Sequence, residues 1–179
     1  MERILVKRYL SKIDELNLLY SEILSAENGQ KAREKFDDIL IDAYIEGFAS
    51  AAYVLGEDIE LDNAQMINAI QKEYEGISIQ DKAEQYYDSQ DNESMKALLE
   101  SEYHRVYNTA RENSFVGHKK RWVTVGDDKV RITHEFLDGV TVNAGERFYT
   151  FDGDSALFPG DFTSAENNAN CRCIIDYLP

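Results

Sequence analysis

Proline is nearly absent from this chain and cysteine is as scarce, with two of each among 179 residues. Both prolines, Pro159 and Pro179, fall in the last 21 residues, so no proline interrupts a helix before then. Cys171 and Cys173 are separated by one residue, too close for an ordinary structural bridge, and they do not make a disulfide framework. Glycine is sparse at first, with only four of the ten preceding residue 117. No apolar run approaches the length of a membrane helix, and no apolar stretch before a small-residue cleavage site marks a signal peptide. Synthesis in a cytoplasm without membrane insertion is therefore expected. Gly-rich phosphate loops are missing, as are the H-E-x-x-H, G-x-S-x-G and EF-hand patterns.

Positive charge is also in short supply. Lys and Arg number 19 against 34 Asp and Glu, a net charge of −15. A surface that tracks phosphates needs clustered Lys and Arg, so the balance opposes broad nucleic-acid or anionic-membrane binding. The acidity is concentrated: eleven acidic side chains lie between Glu57 and Glu93, against Lys72 and Lys82. One basic run, His118-Lys119-Lys120-Arg121, stands apart, and any DNA contact is expected from Lys119, Lys120 and Arg121.

What the chain does have is apolar periodicity. Leu5, Tyr9, Ile13, Leu16, Tyr20 and Ile23 recur at steps of three and four, one face of a helix that Gly29 is expected to stop. A second helix is predicted from about Lys31 to Leu55, with Phe36, Ile39, Leu40, Ala43, Tyr44 and Phe48 inward. Its small residues around Gly47 would let another helix come close. Asp62 or Asn63 caps a third helix running to about Gly76, a fourth covers about 80 to 88, and Asp91 or Asn92 caps a fifth from about Ser94 to Asn113.

After Gly117 the pattern becomes short and β-rich. Runs beginning at Trp122, Val130, Thr141, Phe148 and Cys173 are separated by Gly126-Asp127-Asp128, Leu137-Asp138-Gly139 and Asp152-Gly153-Asp154 turns. The expected class is α+β: an N-terminal helical region followed by a small antiparallel β-sheet domain. The expected division is an acidic helical region over 1–91 and a long helix plus sheet over 92–179.

Candidate chemistry is confined to the last third. Cys171 and Cys173 supply two sulfurs that can share a partner, and with His134, and His118 as a fourth, they would make a Cys₂His₂ set of the kind zinc prefers. The C-x-C spacing is tighter than a zinc finger's, and both cysteines read equally as small buried hydrophobes. A Cys–His nucleophilic pair lacks a third orienting group. Arg131 and His134, between Asp128 and Asp138, suit either a polar tether or an acid–base site. Glu102, Arg105 and Asn108 share a helix face that is ordinarily solvated, and Trp122 reads as a core anchor.

In order along the chain stand Glu102-x-x-Arg105-x-x-Asn108, Lys120-Arg121-Trp122-Val123-Thr124, Asp128-x-x-Val130-Arg131-x-x-His134, Leu137-Asp138-Gly139, Phe148, Phe158-Pro159-Gly160-Asp161 and Asn170-Cys171-Arg172-Cys173. This series resembles the phage Mu F-like head morphogenesis domain over about residues 94–179. The resemblance implies a minor head protein present in few copies per particle, inside the capsid or at the portal vertex. Such a protein assists head assembly, DNA packaging or ejection. It also implies portal, scaffold or major capsid protein as partner, and host cytoplasm as the place of assembly. No cofactor and no catalytic residue follow from it. Glu102, Arg105, Asn108, Trp122, Asp128, Arg131, His134, Asp138, Gly139 and Asn170 become the functional candidates, together with Cys171 and Cys173. The competing expectation is a metal-dependent or Cys–His hydrolase or effector domain carried by a phage or prophage.

Overall fold

A computed structural model describes residues 15–56, 58–169 and 171–178. Leu5, Tyr9, Ile13 and Asn170, all singled out above, lie outside the described residues. The helix α1 occupies 15–24, and its apolar stripe is buried at Leu16 and Ile23. Gly29 does not stop it. Asn28 instead accepts a hydrogen bond from the Lys31 amide and caps the next helix, α2 (Gly29–Leu55), whose first residue is Gly29. The Asp88 carboxylate lies against the Gly29 Cα and would have to swing aside for any side chain there.

Asp62 caps α3 (Asn63–Ile70) through the Ala64 and Gln65 amides, as its sequence position suggested. This helix ends earlier than Gly76. Residues 73–78 form a hairpin of two-residue strands, β1 (Glu73–Tyr74) and β2 (Ile77–Ser78), turning through Glu75 and Gly76. Ser78 then caps α4 (Ile79–Asp88), and Asp91 caps α5 (Asn92–Ser114). α2 and α5 are the principal helix pair, and α4 packs on both.

The α+β class holds, with one local correction. β3 (Lys119–Val123) is the central strand of a three-stranded antiparallel sheet in the order β4-β3-β7, with β4 at Thr141–Asn143 and β7 at Ile174–Leu178. β5 (Phe148–Tyr149) and β6 (Ser155–Ala156) make a separate hairpin. The run at Val130, expected as a strand, is instead the one-turn helix α6 (Ile132–Glu135). The three β-branched residues there, Val130, Ile132 and Thr133, do not make a strand, because the segment has no strand partner and closes through the His134 and Glu135 amides onto the Arg131 carbonyl. α7 (Ala165–Asn168) is a second single turn, capped by Ser164.

The interior has two parts. One is helical, built on Phe36, Leu40, Tyr44, Met95, Leu99 and Val106. The other lies against the sheet, around Phe115, Trp122, Phe148, Phe158, Ile175 and Tyr177. α5 serves both, because Phe115 at its C-terminal end continues into the second cluster.

Candidate functional site

The tightest cluster of reactive side chains joins α6 to the segment that enters β7. Cys171 Sγ lies 3.6 Å and Cys173 Sγ 3.5 Å from the same atom, His134 Nδ1. All three residues are buried, at 1% exposure for His134, 8% for Cys171 and 3% for Cys173. The imidazole is clamped: Phe162 stacks on it at 5.0 Å and Trp122 meets it edge-on at 5.6 Å. The fully buried Trp122 also packs edge-on against Phe148 and Phe162, so it is the anchor the sequence suggested. A hydrogen bond from Cys173, aided by His134 and opposed by burial, holds Cys171 well below the usual thiol range, while Cys173 is pushed up.

His118 does not join this set. It sits at the entrance to β3 with its ring edge-on to Phe115, and its carbonyl accepts from the Ala144 amide. Another histidine, His104 on α5, stands close enough to Cys171 for their charges to interact. Complete burial holds its imidazole down to about 4, and the Asn108 amide faces both ring nitrogens at 3.2–3.3 Å.

Glu102, Arg105 and Asn108 are not solvated. Their face of α5 is covered by α3, the β1–β2 hairpin and the loop at Gly160. Arg105 Nε donates to Glu102 Oε2 at 2.6 Å, and Nη2 donates to the Ala69 carbonyl. Tyr74 donates its hydroxyl to the other Glu102 oxygen at 2.7 Å. Burial, with the Glu102 charge beside it, drives the Tyr74 phenol far above its usual range.

The basic run is the clearest correction. Lys120 is fully buried and cannot touch DNA: its ammonium donates to Glu112 Oε1 at 2.5 Å and to the Leu157 carbonyl at 2.8 Å. Side chains alternate along a strand, so the register that buries Trp122 buries Lys120 as well. Arg121 pairs with Asp176 of the neighbouring strand at 2.6 Å, which leaves Lys119 as the exposed cation of the three. Glu112 is a hub: besides Lys120 it accepts from the Tyr177 hydroxyl at 2.6 Å and the Gly145 amide at 2.7 Å.

The remaining candidates tie loops. Asp138 accepts from both the Thr124 amide and hydroxyl, and the Gly139 amide, in a left-handed turn (φ 77°), donates to the Trp122 carbonyl. Arg131 donates to the Ala169 carbonyl. Asp128 stands exposed in its turn, and the charge pairing falls to Asp127, which receives both Arg172 nitrogens at 2.7 and 2.8 Å. Asp154 was not among the candidates, yet it organises the C-terminal loop by accepting from the amides of Ser155, Thr163 and Ser164 and from Asn167 Nδ2. Burial opposes its ionisation, but those hydrogen bonds prevail and hold the carboxyl well below the usual range. Its signal in the sequence was only a turn-type Asp-Gly-Asp.

Residues 63–176 match the family described as Phage Mu protein F like protein. The chain belongs to this family. The match runs from α3 into β7, beginning upstream of the point near residue 94 where the motif series starts. The Mu F-like chain is 33% identical to Minor head protein GP7 of Bacillus phage SPP1 over 63 residues, 35% of this chain and 20% of that protein. It is 44% identical over 55 residues to the NAD(+)--arginine ADP-ribosyltransferase EFV of Enterococcus faecalis, 31% of this chain and 11% of that protein. The matched stretches thus span a fifth or less of these curated relatives. No solved structure matches.

Proposed function

We propose that this Mu F-like chain is a minor head protein that assists head assembly, DNA packaging or ejection from the capsid interior or portal vertex. The observation that carries the reading is where the motif residues are spent. Glu102, Arg105, Asn108, Trp122 and His134 are buried, and Glu102, Arg105, Trp122 and His134 bond to or pack on neighbouring elements, so these residues hold a scaffold together. A Cys–His hydrolase would need room for a substrate beside the sulfurs, and the cleft that reaches them has a volume of about 10 Å³, space for about one water.

Contact with portal, scaffold or major capsid protein is best supplied by exposed apolar groups on a rigid base. Phe136 and Phe151 pack edge-to-face at 5.3 Å while both remain largely exposed, at 68% and 61%. Among the three cations first considered for DNA, Lys119 is the one exposed, and a net charge of −15 suits a component that must not be held by packaged DNA.

A second reading comes from the transferase relative: the same domain can be one part of a larger protein delivered with the particle. The shared stretch is 11% of that relative, so it supports a common domain and not a common active site. Quantitative mass spectrometry of purified, nuclease-treated particles tests the proposal. A few copies per particle are expected. Absence from particles with abundance in the lysate would overturn the head role.

A further inference from the structure

We propose that His134, Cys171 and Cys173 form a three-ligand zinc site whose fourth position faces the small cleft beside Arg131 and Arg172. The inference stands apart from the head role, since a metal site can exist whether or not the chain enters particles. Its basis is geometric. Tetrahedral zinc, with bonds of about 2.3 Å to sulfur and about 2.0–2.1 Å to nitrogen, holds a sulfur and a nitrogen roughly 3.6 Å apart. The two sulfurs stand 3.6 and 3.5 Å from His134 Nδ1, and all three donor atoms lie within 4.8 Å of one another.

Hydrogen bonding among metal-free thiols accounts for less of this arrangement. A neutral imidazole nitrogen has one lone pair and takes one S–H, yet both sulfurs converge on the same nitrogen. His134 Nε2, equally buried, has no hydrogen-bond partner among the described residues. A metal explains the convergence, because it takes the Nδ1 lone pair and both sulfurs at once. Two thiolates also cancel the charge of a divalent cation, so the ion enters the interior without an uncompensated charge. The ring is already fixed by Phe162 and Trp122, so little ordering remains for binding to impose.

The fourth position is not filled by a histidine. His118 is outside the cluster, and His104 is held by Asn108. The cleft that reaches the three ligands is lined by Val125, Arg131 and Arg172, and its volume is about 10 Å³, room for about one water. A zinc-bound water fits there. Arg131 and Arg172 are themselves bonded to the Ala169 carbonyl and Asp127, so they frame the opening without closing it.

The test is cobalt titration of the full chain, reduced and stripped of metal, with the absorption spectrum as the readout. One equivalent of Co(II) should saturate the protein and produce sulfur-to-cobalt charge-transfer absorption with intense tetrahedral visible bands. Zinc should then displace it stoichiometrically. Losing an outer-shell partner weakens metal binding about 10–100-fold, so Cys171→Ser or Cys173→Ser should weaken it by more than roughly 100-fold. His118→Ala should bind as the parent does. Should the serine variants fail to fold, release of one zinc from the parent as a mercurial titrates the two thiols carries the same information. Weak octahedral cobalt absorption with both thiols free, or no saturation at one equivalent, would overturn the site.

Discussion

Gly47 of α2 rests directly on the backbone of Tyr107 in α5, so closely that a Cβ at position 47 would overlap the Tyr107 carbonyl oxygen and stand 3.0 Å from the Ala110 methyl. The contact fixes how near the two main helices approach. Alanine is the better helix former by about 1 kcal/mol, but overpacking against backbone costs about 1–3 kcal/mol. Gly47→Ala should therefore lower stability by up to about 2 kcal/mol net, as urea unfolding will show; a gain in stability would mean that the helices separate freely.

Lys120 and Glu112 form a buried pair, and removing one partner strands the other. Lys120→Met should cost about 3–5 kcal/mol, because Glu112 then keeps only the Tyr177 hydroxyl and Gly145 amide. Adding Glu112→Gln to that variant should restore part of the loss. A double-mutant cycle by denaturant unfolding measures the coupling, and strictly additive effects would rule the pair out as a unit.

Asp154 makes the C-terminal loop acid-sensitive. Its carboxyl is more acidic folded than unfolded, so its contribution is complete above the unfolded value near 3.8 and disappears as pH falls through the lower folded value. Asp154→Asn should be less stable than the parent at neutral pH, and the gap should narrow steadily below about pH 4. Melting curves across that range decide it.

Gly139 adopts a left-handed conformation while its amide bonds to the Trp122 carbonyl. A side chain there costs about 1–2 kcal/mol. Gly139→Ala should lower the melting temperature accordingly yet leave cobalt binding unchanged, since the residue touches none of the three proposed ligands. Loss of the cobalt spectrum in a folded variant would contradict this.

Phe136 and Phe151 test the docking surface. Exposed substitutions ordinarily shift stability by less than about 0.5 kcal/mol. Phe136→Ser with Phe151→Ser should melt like the parent but be depleted from particles, read by the same quantitative mass spectrometry. Normal incorporation would place the partner contact elsewhere.

The helices were legible because their spans carry both a 3.6-residue apolar period and a capping residue, as at Asp62 and Asp91. The close approach at Gly47 could be read from composition alone. Elements of two residues could not: β1 and β2 turn through Glu75-Gly76, which lacks the Asn-Gly or Asp-Gly signal of a tight hairpin. The segment of α6 reads as a strand because Val130, Ile132 and Thr133 are β-branched, and only tertiary context denies them a partner. Lys120 reads as surface charge from its basic neighbours, although the strand alternation that buries Trp122 places it inside. At the candidate site, the grouping of His134 with Cys171 and Cys173 was visible as chemistry. The exclusion of His118 and the nearness of His104 depend on how α5 lies beneath the sheet, which no spacing in the sequence encodes.

The central position of β3 has a consequence for how the protein is made. Its partner β7 pairs Lys119 with Leu178, so the middle strand of the sheet waits for a segment translated 59 positions later, by the difference between those residue numbers. The α2–α5 pair can assemble while the ribosome is still reading, whereas β3 keeps one unpaired margin until β7 has emerged. During that interval the nascent chain presents an open strand beside Trp122 and Phe148, and this is the stage of its life at which aggregation or a chaperone competes with folding.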